Sequence, residues 1–226
     1  MIRLGQDGDV HAETREVEVA VGEVRLPGDL TLPRSPKGVV VFAHGSGSSR
    51  LSPRNRTVAE TIVEAGLATL LFDLLTAREA AERANVFDIE LLAGRLIAAT
   101  HRLRHEPEVG VLPIGYFGAS TGAAAALWAA AEPDSRVRAI VSRGGRPDLA
   151  GDRLERVRAP TLLIVGGADP VVLELNREAQ ARLRCENDLI VVPGAGHLFE
   201  EPGALEEVSH WATGWFVKHL GAGEAA

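Results

Sequence analysis

A serine between two glycines is the strongest chemical signal in this chain. Residues 118–122 read GASTG, the apolar run LPIGYF ends directly before this motif begins, and an alanine-rich segment follows. A strand–turn–helix connection of this kind holds the serine hydroxyl at the carboxyl end of a sheet, because glycines let strand and helix approach closely. We therefore predict that Ser120 is a catalytic nucleophile. The alternative is an ordinary turn rich in glycine and serine.

A nucleophilic serine needs a general base, and the chain has seven histidines. His197 lies in the sequence GAGHLFEEPG, between the last predicted strand and the last predicted helix. Such a loop opens at the same edge of a parallel sheet as Ser120, so we predict that His197 is the base. His11 precedes the predicted core. We expect exposure to solvent for the helical histidines His101, His105, His210 and His219.

The base in turn needs an acid that fixes its tautomer and stabilises its protonated form. Asp169 directly follows a strand-like run in IVGGADPVV, 49 residues after Ser120 and 28 residues before His197. We predict that Asp169 orients His197, and Asp148 is the alternative acid. Asp169 also precedes a predicted helix, so an N-cap role is partly compatible with the catalytic one.

Backbone N–H groups near the serine are needed to hold the negative charge of a tetrahedral intermediate. The glycine-rich sequence FAHGSGSSR follows another buried run and precedes a capped helix. We assign the oxyanion hole to the N–H groups of Ser46 and Thr121, with Gly45 or Gly47 as alternatives to Ser46. His44 is expected to be structural and to order this loop.

The elements that must position these residues alternate along the chain. Residues 14–33 predict an antiparallel hairpin, because valines alternate with polar residues on both sides of Gly22. Short apolar runs that predict buried parallel strands follow at 39–43, 67–72, 112–117, 137–141, 162–165 and 189–192. Helical patterns lie between them, at 53–65, 87–104, 121–131 and 173–183, and a last helix ends at Gly221. This alternation predicts a mostly parallel sheet covered by helices on both faces.

Composition narrows the class of protein. The chain has 226 residues, a net charge of −7 and a single cysteine, Cys185. These values predict one domain spanning 1–226, no intramolecular disulfide, no metal site built on cysteine and no binding of nucleic acid. Without a signal-peptide core or an apolar run long enough to span a membrane, we expect a soluble cytoplasmic protein, monomeric or homodimeric.

Taken in order, these motifs resemble the α/β-hydrolase superfamily, and within it the small dienelactone hydrolase-like proteins. The resemblance covers nearly the whole chain through the N-terminal hairpin, HGSG, LLFDLL, GASTG, VGGADP and GAGHLFEEPG. It implies the α/β-hydrolase fold, with an eight-stranded, mostly parallel sheet and no large cap domain. Dienelactone hydrolases proper carry a cysteine where this chain has Ser120, and Cys185, at the end of a predicted helix, cannot replace it. The resemblance therefore implies a serine esterase.

The reaction expected is hydrolysis through an acyl-enzyme, with no metal and no organic cofactor. Residues 74–86 are long enough only for a small flap, so we expect an open site that takes small or short-chain esters, lactones included. Arg50 and Arg143 are candidates for gripping an anionic group of the substrate, and structural ion pairs are the alternative for both. A thioesterase, a small-amide hydrolase and a non-catalytic receptor with the same fold remain alternative functions.

Overall fold

The computed structural model describes residues 12–221, in which eight strands form one sheet. The strand order across the sheet is β1-β2-β4-β3-β5-β6-β7-β8. β2 is antiparallel to both β1 and β4, and all other neighbours are parallel. The strands are β1 Glu13–Val21, β2 Val24–Leu32, β3 Val39–Ala43, β4 Ala68–Phe72, β5 Ile114–Ala119, β6 Val137–Arg143, β7 Thr161–Gly166 and β8 Asn187–Val192.

Helices cover both faces of this sheet. α1 and α7 pack on one face, and α4, α5, α6 and a 3-10 helix pack on the other. The helices are α1 Pro53–Glu64, α2 Ala77–Ala80, α3 Arg83–Val86, α4 Ile89–Leu103, α5 Thr121–Ala130, α6 Pro170–Arg182 and α7 Ala204–Leu220, and the 3-10 helix is Pro147–Arg156. The predicted fold, an α/β-hydrolase with an eight-stranded and mostly parallel sheet, is confirmed.

Burial explains why the strands could be predicted from the sequence. Every residue of β3, β4, β5 and β7 is buried, because helices cover both of their faces, so these strands appear in the sequence as continuous apolar runs. The hairpin of β1 and β2 turns at Gly22, with Val21 opposite Val24, and its buried and exposed residues alternate. The predicted hairpin is therefore confirmed.

Local capping fixes the helix that follows the glycine-rich loop. The Ser52 side chain accepts a hydrogen bond from the Asn55 N–H at 3.4 Å, and Pro53 occupies the first helical turn. Gly66 follows the end of α1 with φ +85°, a left-handed conformation that glycine adopts without strain. The Ser52 cap fixes where α1 begins, and thus where the loop before it ends. Gly66 marks the end of the helix.

Two short helices form the segment predicted to be a small flap. α2 and α3 lie between β4 and α4, and the connection from β6 to β7 holds only the 3-10 helix. Within residues 12–221 no insertion is long enough to form a cap domain. Over the same residues, no helix combines the length and apolar character that crossing a bilayer requires.

Candidate active site

Ser120 stands in a strained turn between β5 and α5. Its backbone has φ 50° and ψ −119°, a region that residues with a side chain rarely adopt. A Cβ at position 118 would lie 2.4 Å from the Ala123 Cα, and one at position 122 would lie 2.1 Å from the Ala43 carbonyl oxygen. Positions 118 and 122 must therefore both be glycine. This close packing explains the two glycines of the GASTG motif.

Asp169 and His197 meet at the same edge of the sheet. Asp169 follows β7, and its Oδ2 accepts a hydrogen bond from His197 Nδ1 at 2.8 Å. Its other oxygen, Oδ1, accepts the Val172 N–H at 3.3 Å and caps α6. The catalytic and capping interpretations of Asp169 are thus compatible. Asp148, the alternative acid, instead forms a bidentate ion pair with Arg146 at 2.7 and 2.8 Å.

The histidine loop lies against the turn after β6, next to the elbow. The Ser120 N–H donates to the Arg143 carbonyl at 3.3 Å. A Cβ added to Gly144 would lie 3.0 Å from the His197 carbonyl oxygen and 3.7 Å from its ring Cε1. The described contacts include no hydrogen bond between Ser120 and His197, as is common before a substrate tightens a site. The His197 side chain is 39% exposed, so substrate and water can reach it.

The two assigned oxyanion donors flank one cavity. In the described part of the chain, the N–H groups of Ser46 and Thr121 make no hydrogen bond. A Cβ at Gly45 would lie 3.0 Å from the Ser120 Cβ, so the loop touches the elbow directly. Ser46 and Thr121 both line a cavity of about 370 Å³. The geometry therefore suits the assigned pair, with Gly45 providing the close approach.

His44 ties this loop to the start of the flap segment. Its Nε2 accepts the Leu74 N–H at 3.0 Å, so the proton sits on Nδ1, which donates to the Gly45 carbonyl at 3.0 Å. Burial lowers the pKa of His44 below its usual value, outweighing the Gly45 hydrogen bond and the Asp73 charge, which raise it. The two hydrogen bonds fit the prediction that His44 is structural and orders this loop.

Residues of the flap, α2 and α3, form part of the cavity wall. Glu79 in α2 forms a capping box with Thr76 and accepts a hydrogen bond from Arg95 of α4 at 2.7 Å. The Asn85 side chain donates to the Glu79 carbonyl at 3.0 Å. The cavity wall is largely apolar and includes Leu74, Leu75, Ala77, Ala80, Val86 and Leu92. The flap is therefore an anchored wall of the cavity.

The two candidate arginines have different environments. Arg50 forms ion pairs with Asp73 at 3.2 Å and Asp29 at 3.6 Å, so the structural alternative describes it better than the predicted grip on substrate. Arg143 is only 7% exposed, and within residues 12–221 its guanidinium bonds to the neutral Asn55 and forms no ion pair. It thus remains the candidate for binding an anionic group.

Sequence reasoning missed the residues that hold the histidine loop. Phe199 is buried and has φ 55°, and its ring would lie 3.3 Å from a Cβ added to Gly144. Glu201 accepts the Gly196 N–H at 3.0 Å. A large apolar residue two positions after the histidine, in a loop rich in glycine, was the one available signal.

The other histidines and the cysteine lie away from this site. His101, His105 and His210 are exposed as expected, whereas the expected exposure of His219 is wrong, because its side chain packs on Trp215 and is 11% exposed. His11 lies outside the described residues. Cys185 precedes β8 and thus lies at the opposite edge of the sheet from Ser120. Among residues 12–221, no group of three or more His, Cys, Asp or Glu side chains could hold a metal ion.

Comparison with known proteins gives a consistent family. The Dienelactone hydrolase family matches residues 26–214. A dienelactone hydrolase from Anabaena variabilis, known from its crystal structure, is 54% identical, with a TM-score of 0.89 over 92% of this chain and 99% of that one. The Pyrococcus furiosus esterase Pf2001 is 18% identical, with a TM-score of 0.72 over 97% of this chain and 99% of that one, and shows the fold alone.

The curated relatives carry a different description. Two Mycobacterium tuberculosis proteins, provisionally named phosphoribosyl transferases, are 65% identical over 205 residues. The match takes in 91% of this chain and 46% of each relative, so the chain spans about half the length of these relatives. Their name describes a longer protein and does not specify the chemistry of the matched half.

Proposed function

The chain belongs to the dienelactone hydrolase family, and from this premise we propose that it hydrolyses small or short-chain carboxylic esters, lactones included, through an acyl-enzyme on Ser120. The observation that carries the proposal is the 2.8 Å hydrogen bond from His197 Nδ1 to Asp169, made at the sheet edge where the strained Ser120 turn projects. Family membership supports a hydrolase of small molecules, and the ester specificity is our proposal.

In the proposed reaction, Ser120 attacks the ester carbonyl while His197 removes its proton. Asp169 holds the imidazole with its proton on Nδ1, so Nε2 is free to act as the base. The oxyanion would be held by the N–H groups of Ser46 and Thr121. His197 then protonates the departing alcohol and activates the water that releases the acid.

The dimensions of the cavity support a small acyl group. It adjoins both proposed oxyanion donors and holds about 370 Å³, with a largely apolar wall to which the flap contributes. Glu79 anchors that flap to α4, so the wall cannot recede freely to admit a long chain. We therefore propose that acetyl to butyryl esters are preferred over octanoyl esters.

The test is hydrolysis of p-nitrophenyl acetate, butyrate and octanoate by wild type and Ser120→Ala. We expect the substitution to lower kcat by roughly 10³- to 10⁶-fold, because the nucleophile is lost. Ser135→Ala, which changes a serine on the loop between α5 and β6, is the matched control and should hydrolyse the esters at the wild-type rate. Equal rates for wild type and Ser120→Ala would refute the nucleophile.

Labelling separates the remaining alternatives from one another. A serine-directed phosphonate should label Ser120 in wild type and leave Asp169→Ala largely unlabelled. A receptor with the same fold but a misaligned triad should not react at all. A butyryl thioester and a butyryl anilide, added to the ester series, measure whether thioesters or small amides are the better substrates.

A further inference from the structure

Arg143 is a buried cation that has no acidic partner among the described residues. Among residues 12–221, the one hydrogen bond of its side chain reaches the neutral Asn55 side chain at 3.5 Å, and its Nε has no partner there. Its guanidinium lies 5.8 Å from the centre of the Phe199 ring. Removing an isolated charge from water is costly unless an opposite charge compensates it. The described residues supply no such charge within ion-pair distance of Arg143.

Other positive groups gather at the same place. Arg54 is close enough that its charge, together with the larger effect of burial, lowers the pKa of Arg143 to about 10. Arg54 lies in the first turn of α1. That first turn contains no acidic residue, although the N-terminus of a helix favours negative charge. The Arg54 N–H also makes no hydrogen bond within residues 12–221. We call Arg143, Arg54 and the start of α1 the Arg143 cluster.

One carboxylate already reaches the edge of this cluster. Glu200 Oε1 lies 3.0 Å from Arg54 Nη1, while its side chain is 64% exposed. Exposed ion pairs of this kind contribute little to stability, so an anion that enters can replace Glu200 at small cost. Glu200 thus shows which chemical group the cluster accepts, and Arg143 is left for a ligand to complete.

The cluster lies on the side of the site where the leaving group must be. Arg143 accepts the Ser120 N–H through its carbonyl, and the neighbouring Gly144 touches the His197 loop. His197 must reach the oxygen of the departing alcohol in order to protonate it. The apolar cavity beside Ser46 and Thr121 then remains for the acyl group.

We propose that the Arg143 cluster is an anion subsite, which binds a carboxylate or phosphate carried by the alcohol portion of the ester and displaces Glu200. The inference rests on the proposed esterase activity. It narrows the substrate class to esters with a small apolar acyl group and an anionic alcohol portion.

The test compares two substrates that differ only in charge, 4-butyryloxybenzoate and 4-butyryloxybenzamide. Wild type should prefer the carboxylate in kcat/KM, and Arg143→Met should lower kcat/KM for the carboxylate by roughly 10- to 100-fold, with little change for the amide. Arg54→Met, a partly exposed position, should show the same selectivity with a smaller loss. A third substrate, 4-butyryloxyphenyl phosphate, shows whether phosphate or carboxylate is the better anion.

Two further variants keep the test informative if Arg143→Met fails to fold. Glu200→Gln removes the competing carboxylate, so it should raise kcat/KM for the carboxylate substrate by a few-fold and leave the amide unchanged. Arg56→Met removes one charge from the same helix, where Arg56 pairs with Asp29, and should change neither substrate. Equal ratios of the two substrates in wild type, Arg54→Met and Glu200→Gln would overturn the subsite.

A binding measurement separates the subsite from the activity. If wild type hydrolyses neither ester, the proposed function fails, and the subsite is judged by the melting temperature with 4-hydroxybenzoate or 4-hydroxybenzamide. The carboxylate should raise the melting temperature of wild type and of Arg56→Met equally, and that of Arg54→Met by less. No rise in wild type would overturn the subsite as well.

Discussion

The two oxygens of Asp169 have different partners, so replacing one of them separates catalysis from stability. Oδ2 accepts the His197 Nδ1–H at 2.8 Å, and Oδ1 accepts the Val172 N–H at 3.3 Å. A carboxylate can accept both hydrogen bonds, whereas the amide of Asp169→Asn has one oxygen and one NH₂ group. One of the two partners must therefore face a donor in the variant.

Capping decides which partner this is. Asparagine caps helices about as well as aspartate, so its oxygen can stay on Val172 while its NH₂ group faces His197. The imidazole would then carry its proton on Nε2 and could not accept the Ser120 proton. We expect kcat to fall by about 10⁴-fold, equivalent to about 5.4 kcal/mol, while the free energy of unfolding changes by less than about 1 kcal/mol.

The assay is p-nitrophenyl butyrate hydrolysis together with urea unfolding of the same preparations. Asp169→Ala should lose activity as well and should also lose about 0.5–2 kcal/mol of stability, because its helix cap is removed. Asp148→Asn, at the alternative acid, is the matched control and should keep wild-type activity. Wild-type kcat in Asp169→Asn, or an equal loss in Asp148→Asn, would refute the assignment.

Three further predictions concern the surrounding structure. Gly144→Ala and Gly151→Ala both place a side chain at positive φ, and each should lower the free energy of unfolding in urea by about 1 kcal/mol. Only Gly144→Ala should also lose esterase activity, because its Cβ would lie 3.0 Å from the His197 carbonyl oxygen, whereas a Cβ at position 151 meets no atom within 4 Å. The pKa of His44 is lower in the folded state than its value of 6.5 in the unfolded state, so the unfolded chain binds more protons in acid and stability falls as the pH drops below about 6.5. Urea unfolding at pH 7 and pH 5 should therefore show a smaller loss for His44→Gln than for wild type, and an equal loss would exclude His44 as the cause. Gly94→Ala on α4 meets no atom within 4 Å and should stabilise the chain by about 0.5–1 kcal/mol in the same measurement.

The sequence predicts well the features that depend on local chemistry. β3 and α1 begin where the pattern places them, because a wholly buried strand must be apolar throughout and a Ser-Pro pair caps a helix by itself. The turn that presents Ser120 is predicted by the glycines at 118 and 122, which the close approach of β5 and α5 requires. The position of Asp169 and His197 at one edge of the sheet can be predicted because both lie in loops after strands, and the carboxyl ends of parallel strands share one edge.

Contacts between distant segments were decided by the tertiary structure. The sequence favours Arg143 over Arg50 only because Arg143 lies just past a strand end. Folding brings Asp73 and Asp29 to Arg50, whereas no acid within residues 12–221 pairs with Arg143. Phe199 holds the histidine loop through a packing contact with the turn after β6, more than 50 residues earlier in the chain. Periodicity and spacing report which face a residue buries, whereas charge compensation and packing depend on which residues the fold brings together.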